Sequence, residues 1–232
     1  MKILRITIIF IVIITFEFSF ELNLSPVFAQ KSAVYEENIR LQWAFGAIRK
    51  EEGKPELVSI KQDAVLKSGD QIKFFVKLKT KSFAYLIYHG SKDEINILFP
   101  YQFTQSHDNE SQQKKYYIPQ GSEWLELDKQ VGLETFYFLV STDRLVNLER
   151  LIIDHKQATP AKKTQLTKQI LQKARALIWK NRRFKRTAEK PVTIMGRLRG
   201  SNKTNSPYDI TNLAMEVSEN NFYGKTFTID HQ

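Results

Sequence analysis

The chain has no cysteine among its 232 residues. A disulfide framework, a thiolate zinc site, a thiol nucleophile and a lipoprotein attachment cysteine are therefore all excluded. Histidine is scarce too: His89, His107, His155 and His231 are the full set, and none stands at the short spacing of a zinc-binding helix. Only ligands gathered from distant segments could hold a metal. Gly196 and Gly200, with Arg197 and Arg199 between them, are followed by no Lys-Ser or Lys-Thr pair, so no phosphate-binding loop is present and no cofactor is expected. Ser68 precedes Gly69 but lacks the flanking glycines of a hydrolase elbow, which argues against a nucleophile there. The first apolar run, Ile6 to Phe16, is interrupted by Glu17 and Glu21 well short of the roughly 20 residues that span a bilayer.

What is present begins with material for a core. Hydrophobic residues make up 42% and aromatics 12%, enough for one sizeable domain and too much for a wholly disordered chain. The net charge of +10 and sequence pI near 9.6 point to an acidic partner rather than to any fold.

Lys2 and Arg5 ahead of the apolar run, and Val27-Phe28-Ala29 after a more polar stretch, read as a secretory signal over residues 1–29 cleaved near Ala29. The expectation is a periplasmic or secreted protein, the alternative a membrane anchor through an uncleaved N-terminus. Export argues against nucleic acid as a partner.

Residues 30–157 read as a β-rich domain. Gln30 to Arg40 is a lead-in with room for one helical turn, Leu41 to Ile48 a strand, and Glu56 to Gln62 a second. From Leu66 to Pro100 the chain reads as the organising β-hairpin. Ile72, Phe74, Val76 and Leu78 share one face at the period of a strand, with Lys73 and Lys77 on the other. Phe83 to Tyr88 is apolar on both faces, as a strand covered on two sides would be. Glu94 to Phe99 follows, then a polar loop from Tyr101 to Lys115, short strands around Pro119-Gln120-Gly121-Ser122, and a buried strand from Leu133 to Val140. About eight strands with frequent turn signals imply an antiparallel β-sandwich or partly open barrel, mainly β with a helical appendage in an α+β chain. Asp143 is placed to cap a helix carrying Leu145, Leu148, Leu151 and Ile152.

Residues 158–190 read as a basic amphipathic helix, with Leu166, Ile170, Ala174, Leu177 and Ile178 on its apolar side. From Lys162 to Lys190 there are eleven Lys or Arg residues and one acid, Glu189, a surplus equal to the charge of the whole chain. Residues 191–232 hold two final strands, Pro191 to Leu198 and Phe222 to Ile229, that pack on or extend the β-domain.

Leu66-Lys67-Ser68-Gly69-Asp70, Ala84-Tyr85-Leu86-Ile87-Tyr88, Leu98-Phe99-Pro100, Ile118-Pro119-Gln120-Gly121-Ser122 and Gly132-Leu133-Glu134-Thr135-Phe136-Tyr137 occur in an order that resembles the bacterial family catalogued as domain of unknown function 4384. The resemblance runs from about Trp43 to Leu151. It implies an exported or envelope-facing β-rich module, often joined to other domains, with no established activity and no functional residues to carry over.

Asp70, Asp128 and Glu134 could be paired carboxylates, but each lies beside a turn glycine or at a strand start, where a carboxylate accepts from backbone amides. Two functions from different classes remain. One is a non-enzymatic envelope binding or adaptor module, contacting an envelope protein or glycan, and reaching anionic lipid or an envelope polymer through the basic helix. The other is an enzyme whose site is assembled from scattered loop residues. The candidate anion-binding set is Lys162, Lys163, Lys168, Lys173, Lys180, Arg182, Arg183, Lys185 and Arg186, with Trp179 and Phe184 interleaved. The bland reading of the same run is a solvated helix face and a basic linker, with Trp179 closing the core.

Overall fold

The computed structural model describes residues 38–51, 53–101, 113–182, 189–192 and 208–232. The expected signal segment and cleavage site, Arg183, Phe184, Lys185 and Arg186, and most of the Pro191 to Leu198 strand and the Tyr101 to Lys115 loop lie outside these residues.

Twelve strands and two helices are described, in an α+β arrangement that is mainly β. The strands form two facing sheets that do not close into a barrel. The first sheet contains β1 (Ile39–Glu51), β2 (Lys54–Ser59), β4 (Gln71–Leu78), β7 (Lys115–Ile118), β8 (Leu125–Glu126), β10 (Lys190–Pro191) and β11 (Met215–Glu219). The second has the order β3 (Asp63–Leu66), β12 (Phe222–His231), β9 (Gly132–Ser141), β5 (Phe83–His89), β6 (Ile95–Phe99).

The expected hairpin over Leu66 to Pro100 is not formed. β4 pairs with β1, β7 and β8, whereas β5 pairs with β9 and β6. The polar Lys79 to Ser82 connection carries the chain from one sheet to the other instead of reversing it within one. Alternation fixes which face of a strand is buried, but it does not say whether the next strand is a neighbour in the same sheet or a partner across the core.

Other boundaries move for local reasons. Ile39 and Arg40 belong to β1, because β11 and β4 lie on either side of that end of the strand. The Glu56 to Gln62 strand stops at Ser59, and the chain then enters β3. β3 runs parallel to β12, the one parallel pairing among the described strands. Asp143 does not cap α1 (Val146–Gln157); the capping position is Leu145, whose amide donates to the Tyr85 hydroxyl at 3.1 Å.

Between the sheets Trp43, Phe45, Phe74, Phe136, Phe138 and Phe227 pack as stacked, tilted and edge-on rings at centroid separations of 4.9 to 6.5 Å. Ile72, Val76 and Leu78 join them from β4. Leu98 is only half-buried against it. The outer face of β4 is covered as well. Phe75 meets Ala44, Ile210 and Ala214 beneath a 3₁₀ turn at Ile210–Leu213, which explains the apolar residue among lysines. Lys73 is buried there, donating to the carbonyls of Gly121 and Glu123 beside the rings of Tyr117 and Trp124, and burial draws its pKa below the usual lysine value.

The second sheet is also covered on both faces, as the two-sided apolar pattern of Phe83 to Tyr88 requires. Ala84 and Leu86 face the first sheet, while Tyr85 and Ile87 face α1 and α2 (Pro160–Asn181). α2 buries Leu166, Thr167, Ile170, Leu171 and Ala174. Its C-terminal half lies close on β12 at Gly224, where an added Cβ would stand 2.8 Å from Ile178 Cγ1.

Candidate functional site

α2 begins with Pro160 at its first turn, where proline's fixed φ and missing N–H are tolerated, and carries no acidic residue along its length. Lys162, Lys163, Lys168, Lys180 and Arg182 are exposed and Lys173 is half-buried. At about 100° per residue the cations fall on two flanks rather than one. Lys162, Lys173 and Lys180 follow one flank; Lys168, Arg175 and Trp179 follow the other, with Gln165, Gln169, Gln172 and Ala176 between them. Lys163 faces His155 of α1 and helps lower that imidazole's pKa, second to burial itself.

The second flank borders a groove of about 640 Å³ between α2 and the turn joining β5 to β6. Lys168, Arg175 and Trp179 line one wall, and the His89–Asp93 pair, 2.8 Å apart, lines the other. Trp179 is 80% exposed, so it does not close the core. Arg175 was missing from the expected set. Its Nε donates to the Tyr137 hydroxyl at 2.9 Å, which ties this flank to β9 and orients the guanidinium. Sequence spacing put Arg175 opposite the apolar stripe, but nothing in the sequence showed a tyrosine beneath it.

A second cavity, of about 460 Å³, opens between the sheets where β7 faces β5 and the end of β6. Tyr101, Tyr116, Phe99 and Lys115 line it, and Glu149 lies at its inner end. Glu149 is buried, accepting from the Tyr85 hydroxyl and from Arg144.

The three carboxylates do not converge as an acid and base pair. Asp70 accepts from the Lys67 amide at 2.9 Å and the Lys50 amide at 3.3 Å, and Asp128 from the Gln130 amide at 2.6 Å. Glu134 behaves differently. It is buried and stands 3.0 Å from His231 Nδ1, and Ser68 Oγ is 3.2 Å from His231 Nε2. Burial raises the Glu134 pKa above the usual carboxylate value, partly offset by His231. These three residues come from three distant segments, so no spacing could announce them. No group of three or more His, Asp or Glu side chains among the described residues is arranged to hold a metal ion.

β4 to β9, with their turns at Gly69, Gly121 and Gly132, are the part of the sandwich that carries the stretches singled out in the sequence. Residues 65–144 match the family model described as Domain of unknown function (DUF4384). The DUF4384 match is narrower than the Trp43 to Leu151 span of the resemblance, though it contains all five quoted stretches. It leaves out β1 and β12, which supply central strands to the two sheets, and both helices. No curated protein and no solved structure matches the chain. The DUF4384 match contains Ser68 and Glu134 but neither α2 nor His231.

Proposed function

We propose that this protein is an exported, envelope-associated binding module without catalytic turnover, and that α2 docks on an anionic lipid surface. The supporting observation is Trp179, an indole 80% exposed on a helix free of acids, with Lys168 and Arg175 on the same flank. Indole rings favour the boundary between head groups and hydrocarbon, and each Lys or Arg near an anionic membrane adds about 1 kcal/mol. Screening over a Debye length of about 8 Å limits that gain to cations that reach the surface together. Two flanks separated by neutral glutamines suit a helix lying lengthwise on a plane, where both rows touch it, better than one inserted into a narrow cleft. Export places such a helix beside phospholipid and lipopolysaccharide head groups, consistent with the charged start, short apolar run and Val27-Phe28-Ala29 of the sequence.

Vesicle co-sedimentation of the full chain tests this reading, comparing phosphatidylglycerol-containing with pure phosphatidylcholine vesicles at low and high salt. Binding should require the anionic lipid, weaken with salt and fall in Lys168→Gln/Arg175→Gln and in Trp179→Ala. Binding indifferent to lipid charge and to those substitutions overturns it. Amino-terminal sequencing of the exported protein tests the compartment: a start at Gln30 supports it, and intact Met1 in the membrane fraction reverses it.

A further inference from the structure

β12 and β9 bring a histidine and a glutamate side by side. β12 runs antiparallel to β9 with Ile229 opposite Glu134 and His231 opposite Gly132. Ile229 and Phe136 point into the core, so Glu134 and His231 share that inward face as diagonal neighbours. The turn after β3 then lays Ser68 over the outer ring nitrogen. Glu134 Oε1 to His231 Nδ1 is 3.0 Å, and His231 Nε2 to Ser68 Oγ is 3.2 Å. Both inner members are buried while Ser68 is exposed. Gly69, next in the chain with φ +89°, has open space where a side chain would be, leaving room for a molecule to approach the hydroxyl.

We propose that Ser68 is a nucleophilic serine, with His231 as its general base and Glu134 as the residue that positions the imidazole, and that it accepts acyl groups from esters. The arrangement supplies a hydroxyl within reach of a base that is itself oriented by a third group. A clamp that merely fastened the C-terminal strand would need the His–Glu contact but no hydroxyl on the solvent side. Asp128, Glu94 and Tyr88 stand around Glu134.

In the step itself, Ser68 Oγ bonds to the ester carbonyl carbon as its proton passes to His231 Nε2. The carbon–alkoxide bond then breaks, and the leaving alkoxide takes that proton to depart as the alcohol. The product is acyl-Ser68. The nearby amides are already spent. Ser68 N–H donates to the Gln232 carbonyl, Gly69 N–H to Leu127 and Asp70 N–H to Lys67. With no amide of this turn aimed at a developing oxyanion, each missing donor slows acylation and deacylation alike by roughly 10²–10³-fold, so the expected reaction is slow, stoichiometric acylation by activated esters. The site is an acyl acceptor rather than a turnover hydrolase, which goes beyond the lipid-docking reading and does not depend on it.

The test uses the full-length protein with p-nitrophenyl acetate and an alkyl fluorophosphonate, read by intact mass and peptide mapping. With the fluorophosphonate, Ser68 Oγ bonds to phosphorus, fluoride leaves, and the hydroxyl proton goes by way of His231 to solvent. One adduct per chain at Ser68 is expected. It should be absent in Ser68→Ala, whose exposed position spares the fold, and slowed by about 10²-fold or more in His231→Gln, the usual worth of a general base. Should His231→Gln unfold, Glu134→Gln carries the same comparison. The pH at which labelling reaches half its plateau should also move between wild type and Glu134→Gln, which a purely structural glutamate would not cause. No adduct, or adducts spread over several hydroxyls at equal rates, overturns the proposal.

Discussion

Tyr85 donates its phenolic hydrogen to Glu149, joining the second sheet to α1 where both side chains are buried. The same oxygen accepts from the Leu145 amide at 3.1 Å, so one hydroxyl fixes the start of the helix. Burial, and next the Glu149 hydrogen bond, push the Tyr85 pKa far above the usual tyrosine value, so it stays a donor at any ordinary pH. Tyr85→Phe removes the donor to a buried carboxylate and the acceptor for a helix-start amide while keeping the ring. Stability should fall by about 1–3 kcal/mol, the range for a buried polar group losing its partner, read from the urea midpoint.

Phe74 is the hub of the intersheet core, ringed by Trp43, Phe45, Phe138 and Phe227. Truncation leaves a void lined by rigid rings that cannot collapse into it. Phe74→Ala should lower unfolding free energy by about 3–5 kcal/mol, and an unchanged denaturation midpoint would show that the two sheets do not meet there.

Glu189, the lone acid of the basic segment, is held by Lys225 at 2.6 Å and by the Tyr223 hydroxyl at 2.9 Å. Lys225 lies 4.7 Å from the Trp43 ring centroid and is mostly shielded from water. Glu189→Ala strands a cation against an aromatic core. The loss should lie between that of a surface pair and that of a fully buried one, about 1–3 kcal/mol, and Lys225→Met in the same background should recover part of it. A double-mutant cycle by chemical denaturation checks both.

Two groups give stability opposite dependence on pH. Burial and Lys163 hold the His155 pKa below 6.5, so the folded chain binds that proton less readily than the unfolded one. Its contribution is full above pH 6.5 and lost as pH falls further, which should loosen the His155 to Thr167 contact between α1 and α2. Glu134 is raised from 4.5, so its contribution is present below that value and lost as pH rises through the folded pKa. Urea midpoints across pH should show His155→Gln flattening the acid side and Glu134→Gln flattening the opposite trend.

Local patterns carried much of the fold. The inward face of β4, the two-sided burial of β5 and the apolar stripe of α2 follow from periods of 2 and 3.6 residues, and the stretches of the family resemblance lie where residues 65–144 match. Pairing was not legible, because Lys79 to Ser82 has the same polar composition whether it turns within a sheet or crosses between two. The basic helix was visible as a charge run, but its division into two flanks depends on which residues of α2 are buried. Ser68, Glu134 and His231 stand far apart in the sequence; the register of β9 against β12 joins the last two, and the turn after β3 brings in Ser68.

The crossing at Lys79 to Ser82 also constrains how the molecule comes into being. Because β4 and β5 part company, β1 draws its partners from residues 54–59, 71–78 and 215–219, and β9 depends on residues 222–231 along one whole edge. The first sheet is incomplete until residues 215–219 have been synthesised, and the second until residues 222–231 have followed. Such long-range pairing folds slowly, so the nascent chain spends its synthesis without a finished core. A chain in that condition is still threadable, and would need either prompt passage through a narrow channel or protection from aggregation while it waits.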